Sequence, residues 1–102
     1  MSRQSNEQIK YCRLCWDYYG PSALGTAQHF AIHLKDWIEK QGFSEVLKSH
    51  GTKQVDSHHA YAYCELPMSE GEITYRSLKA HRAIEVRHEL IDPIEKQDSG
   101  ND

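Results

Sequence analysis

The sequence predicts one α+β domain: four strands in a single antiparallel sheet, with two helices on one face of it. Three observations carry that expectation. At 102 residues the chain fits one domain and leaves no room for a second. A long stripe of apolar residues at helical spacing follows a strand-like opening segment. A β-like run at residues 59–66 and an alternating one at 83–91 then follow. Area scaling lets a chain of this size bury roughly two-thirds of its unfolded surface, so a core is possible without disulfides.

In order along the chain, residues 9–19 place Cys12, Leu14, Trp16 and Tyr18 on one parity, as in a strand with one face on a core. Gly20-Pro21-Ser22 breaks this segment, and Pro suits the first turn of a helix. Leu24, Ala27, Phe30, Ala31, Leu34, Trp37 and Ile38 then form one helical stripe, closed by Gln41-Gly42. Residues 44–66 read as a hairpin whose second strand is 59–66, with Gly51 interrupting the first. Pro67 ends that strand. Ser69-Glu70-Gly71-Glu72 has the form of a capping box and predicts a short helix to about residue 81, although the β-branched and aromatic residues inside it would also suit a strand. Residues 83–91 close the domain as a strand with Ile84, Val86, His88 and Leu90 on one side and Glu85, Arg87 and Glu89 on the other.

The resulting order, β-α-β-β-α-β with right-handed crossovers, resembles the ferredoxin-like plait over residues 9–91. The resemblance implies a sheet with one bare face. That face is expected to carry Tyr11, Arg13, Cys15, Tyr61, Tyr63, Glu65 and Arg87, too many rings to leave in water. A homodimer through this face is therefore the expected partner arrangement, with Tyr11, Tyr61, Tyr63, Arg13 and Arg87 as interface candidates. Residues 1–8 and 92–102 are polar and are expected to be disordered ends.

Charge narrows the function classes. The net charge of −3 comes entirely from the acidic tail, where Asp92, Glu95, Asp98 and Asp102 oppose Lys96. The balanced body lacks the footprint of a general nucleic-acid binder, so nucleic acid is not expected as a partner. A mean hydropathy of −0.77 and the lack of a long apolar run exclude a membrane helix. Three cysteines behind a polar start point to reduced thiols and a cytoplasmic location.

The candidate sites are few. Seven histidines make the chain histidine-rich, and such side chains can serve as ligands, bases or pH-sensitive contacts. His58, His59 and His88, with Trp16 and Trp37, are candidates for a ligand pocket between helix and sheet. His29 and His33 stand at i and i+4, a spacing at which two imidazoles can share a metal, on the side of the helix away from its apolar stripe. Arg76, Lys79 and Arg82 form a basic stretch where a small anion could dock. Cys12 and Cys15 form a C-x-x-C, but on a strand residues three apart point to opposite faces about 10 Å apart, too far for a disulfide, so both are expected to pack.

The octet His59-Ala60-Tyr61-Ala62-Tyr63-Cys64-Glu65-Leu66 follows the outline of the third strand of RNA-recognition motifs, in which two rings stack on bases. It departs from that pattern at His59, where a Lys or Arg stands in those domains, and at Leu66 in place of the last aromatic.

The expected function is thus a small homodimeric module binding a small ligand or partner, without a cofactor. Two alternatives stand beside it. One is a cofactor-free dimeric enzyme using a His or Tyr as acid–base on a small organic substrate, which requires a histidine beside an enclosed cavity lined by Trp16 or Trp37. The other is a histidine-based metal-binding protein.

Overall fold

In a computed structural model of the chain, residues 8–89 are described, with side chains described for 10–87. The elements are β1 (Gln8–Tyr19), α1 (Ala23–Lys40), a single 3-10 turn (Ser44–Val46), β2 (Ser49–Asp56), β3 (His59–Pro67), α2 (Met68–Leu78) and β4 (Arg82–Glu89). All strand pairs are antiparallel, in the order β2-β3-β1-β4. This is the α+β ferredoxin-like plait. The expected disordered ends, 1–8 and 92–102, lie outside the described residues, except that Gln8 opens β1. No helix among the described residues is long and apolar enough to cross a membrane.

The core lies between helices and sheet and follows from complementary sizes on the two central strands. Trp16 sits opposite Ala62 and Tyr18 opposite Ala60, so the large rings of β1 fill space left by the small residues of β3. Ala23 and Ala27 of α1 pack on Ala60, which lets the helix approach the sheet closely. Leu14, Leu34, Ile38, Cys64 and Leu66 complete the buried cluster. Trp16 is held in place by Phe30, 5.0 Å away between ring centroids, and donates its Nε1–H to the Leu78 carbonyl at 2.9 Å. A buried indole thus keeps a partner for its one polar group.

Helix α1 ends as the sequence implies. Gly42 takes φ +80°, the Phe43 N–H reaches the Ile38 carbonyl and the Gly42 N–H reaches the Glu39 carbonyl, the paired bonds of a Schellman cap.

Helix α2 begins differently from the expectation. It follows β3 without a linker, with Pro67 at the N-cap and no side-chain capping bond. Ser69 therefore lies inside the first turn, where its Oγ donates to Glu70 Oε1 at 2.7 Å, and the capping box does not form. Gly71 explains how the helix sits so low. A Cβ there would lie 2.7 Å from the Cβ of Cys12, so only glycine allows this approach. Gly51 likewise does not break β2. It continues the strand at φ +153° beneath the ring of Tyr63.

The largest departure concerns β4. Its register pairs Ile84 with Arg13 and Val86 with Tyr11, while Glu85 faces Cys12 and Arg87 faces Lys10. Cross-strand partners share a face, so Ile84 and Val86 lie on the bare side and Arg87 lies on the helical side. The expectation that Arg87 shares a face with Tyr61 is thereby corrected. The physical reason is the helical footprint: α1 lies mainly over β2, β3 and β1, and α2 over β1 and β3, leaving β4 at the margin. Glu85 and Arg87 stand in solvent at this margin and pair with each other at 3.0 Å.

Candidate functional site: the bare face of the sheet

The alternation that buries Trp16 and Ala62 under the helices sends Arg13, Cys15, Asp17 and Tyr19 of β1 to the other side. The same alternation places His59, Tyr61, Tyr63 and Glu65 of β3, Ser49 and Lys53 of β2, and Arg82, Ile84 and Val86 of β4 beside them. The face is bare of helices yet not fully wetted. Cys15 is 1%, Glu65 2% and Asp17 9% exposed, because larger side chains close over the centre.

Two carboxylates organise those side chains. Asp17 receives the guanidinium of Arg82 bidentately, Nε to Oδ2 at 2.7 Å and Nη2 to Oδ1 at 2.9 Å, and its Oδ1 also meets His59 Nε2 at 2.9 Å. The hydrogen bond from Arg82 holds the Asp17 carboxyl below the ordinary carboxylate range, against an opposing push from burial. His59 is stacked on Tyr19 with centroids 4.5 Å apart, and Arg82 lies 5.0 Å over the ring of Tyr61. The backbone N–H of Asp17 is taken by His81 Nδ1 at 2.9 Å, which sets the imidazole proton on Nε2. Glu65, the second carboxylate, is paired with Arg13 through both Nε and Nη2. Buried charges are tolerable when matched this closely, whereas removing one partner leaves the other stranded.

Beside these pairs lies a cleft of about 270 Å³ lined by Arg13, Ser49, Lys53, Tyr61 and Tyr63. Between Ser49 and Lys53 on the same face stands Gly51, which has no side chain. The Tyr63 ring tilts into that space, its hydroxyl 3.3 Å from where a Cβ would stand.

The structure brings together some of the residues singled out in the sequence and separates others. His59, Tyr61, Tyr63, Arg13, Tyr11 and Arg82 share the bare face. His58 stands at the β2–β3 turn, its N–H bonded to Asp56 Oδ1 at 2.8 Å. His88 lies outside the residues whose side chains are described. Trp16 is a core residue and Trp37 packs edge-on to Phe43 at 6.1 Å. Neither ring borders the four clefts described among residues 8–89. Arg76 pairs with Glu72 along α2 and Lys79 caps that helix in the left-handed conformation, so neither joins Arg82 on the sheet. His29 and His33 are exposed on α1 with Nε2 atoms 3.1 Å apart. No group of three or more His, Cys, Asp or Glu suited to a metal occurs among the described residues.

The cysteines are all free and buried, with Cys12 and Cys15 on opposite faces as their spacing requires. Burial raises all three thiols, that of Cys64 to about 12, which keeps them protonated and unreactive.

Sequence reasoning did not single out Asp17, Lys53, Ser49, Ile84 or Val86. Asp17 had one visible signal, a carboxylate in the middle of an apolar strand on the parity of Arg13. The others acquire meaning only from the register. The fold and this face together define a plait protein with a charged, tyrosine-rich open surface. No family model matches the chain, and neither the curated proteins nor the solved structures contain a significant match.

Proposed function

We propose that the protein is a small binding module that works through the bare face of its sheet, and that its first partner there is a second copy of itself. The observation supporting this reading is the orientation of β4. Ile84, 41% exposed, and Val86 turn away from the helices onto the face that also carries Tyr11, Tyr61 and Tyr63. A strand exposed on both sides gains nothing by keeping apolar residues on one of them unless that side is covered.

A second copy suits the patch for two reasons. Asp17 and Glu65 are already neutralised by Arg82 and Arg13 within the chain, so bringing two such faces together buries few unmatched charges. Four strands about 4.8 Å apart and about eight residues long present roughly 500 Å² in projection. The accessible area of such a ridged face approaches the ~800 Å² per partner of a stable interface.

Sedimentation velocity tests the reading. The wild-type chain should sediment at twice its 11.8 kDa mass at micromolar concentration. Ile84→Glu, which places a charge in the patch at an exposed position, should weaken association at least tenfold, and Tyr61→Asp with Tyr63→Asp should abolish it. A monomeric wild type, or an Ile84→Glu protein that dimerises as before, would overturn the proposal.

A further inference from the structure

From the cleft beside the two carboxylates we infer a binding site for a small oxyanion, a phosphate or carboxylate group carried on a compact molecule. The inference rests on the bare face being the working face, but not on its being a dimer interface.

All five lining side chains, Arg13, Ser49, Lys53, Tyr61 and Tyr63, carry hydrogen-bond donors, and no carboxylate lines the cleft. Glu65, the nearest acid on β3, lies buried below and is occupied by Arg13 Nε and Nη2. That pairing fixes the guanidinium and leaves its Nη1 donors uncommitted. Lys53 has no ion-pair partner among the described residues, and neither Ser49 Oγ nor the hydroxyls of Tyr61 and Tyr63 have a hydrogen-bond partner there. Two cations and three hydroxyls with uncommitted donors around about 270 Å³ match the acceptor-only chemistry of an oxyanion. The two positive charges would repel a cation. The volume falls below the ~300 Å³ at which drug-sized pockets begin, which selects a compact ligand. The Tyr61 and Tyr63 rings, edge to face at 6.1 Å, supply an apolar wall for whatever carries the anionic group.

The architecture of β2 explains why such a site exists at this edge. Gly51 omits a side chain between Ser49 and Lys53 and the ring of Tyr63 lies over it, so that Ser49, Lys53 and Tyr63 border one cleft. Of the other cations on this face, Arg13 is paired with Glu65, Arg82 is sequestered by Asp17 and the ring of Tyr61, and Lys48 lies over the ring of Tyr11. Lys53 is therefore the charge that an incoming anion would neutralise.

Titration of the full-length protein with inorganic phosphate and with phenyl phosphate, followed by amide chemical shifts and calorimetry, tests the assignment. Saturable shifts should centre on residues 49–53 and 61–63, with phenyl phosphate the tighter ligand and affinity falling as salt rises. Lys53→Ala should weaken binding about tenfold, as loss of one charge-assisted contact does, and Tyr63→Phe by less. Arg76→Ala, on the far helix, should leave it unchanged.

Shifts elsewhere, no saturation by either anion, or equal binding by Lys53→Ala would overturn the site. So would a single-stranded RNA bound a hundredfold more tightly than phenyl phosphate, since the surface would then be a nucleic-acid track. The oligomeric state is read separately from the same samples. Loss of anion binding in a protein that still dimerises sinks this inference alone, and binding by a monomer sinks only the dimer.

Discussion

The two faces of this sheet bury their residues by different means. On the helical side Leu14, Cys64 and Leu66 are sealed by α1 and α2, and their stability comes from apolar area removed from water. On the other side Cys15, Asp17 and Glu65 are almost as well hidden. Their cover is a layer of Arg, Tyr and His side chains held by ion pairs and ring contacts. The first kind of burial involves no group that titrates near neutral pH and no charge for salt to screen. The second depends on charge, and it leaves at its margin the uncompensated Lys53 and the exposed Ile84.

The comparison can be broken most directly from the helical side. Leu34→Ala removes a fully buried side chain of α1 and should cost about 2–5 kcal/mol in urea unfolding. A loss below about 0.5 kcal/mol would mean that α1 does not seal the sheet. Gly71→Ala tests the other helix. Its new Cβ meets the Cβ of Cys12, so overpacking should cost about 1–3 kcal/mol, and a neutral result would show that α2 can lift away.

Asp17→Asn sharpens the contrast. It exchanges a charge-assisted contact with Arg82 for a neutral one, and about 1 kcal/mol should be lost at neutral pH. The pH dependence has a definite sign. Because the folded carboxyl lies below its ordinary value, its contribution is complete above the unfolded pKa of about 4 and is lost as pH falls through the folded value. The variant should therefore show a shallower acid limb than wild type, whereas parallel limbs would place the acid sensitivity elsewhere. The smallest effect is reserved for the margin. Lys53→Ala should change stability by less than about 0.5 kcal/mol while weakening anion binding, since nothing in the fold depends on its charge.

How much of this was legible in the sequence depends on the distance over which each feature is decided. Helix α1 and the alternation of β3 are local, set by spacing within a few residues, and both stand where the pattern places them. Helix α2 was ambiguous because Ile73, Thr74 and Tyr75 suit a strand. It was settled by Gly71, which lets the segment lie against Cys12; Thr74 is buried in the same helix, its Oγ1 donating to the Glu70 carbonyl. The open face was legible in its tyrosines and not in its charges. Arg13 and Glu65 are 52 residues apart, and Asp17 and Arg82 are 65 apart, so no local pattern pairs them.

By itself, then, the sequence determined the order of elements, the apolar stripe of α1, the two parities of β1 and β3, and the inability of Cys12 and Cys15 to meet. These follow from the 3.6 and 2.0 periods of the backbone. The tertiary structure alone decided which side of β4 joins the bare face, because alternation states that a strand has two unlike faces without stating where the helices lie. It also decided which cation meets which carboxylate, and hence that Lys53 is left over, because register across antiparallel strands is a property of the assembled sheet and not of any one segment.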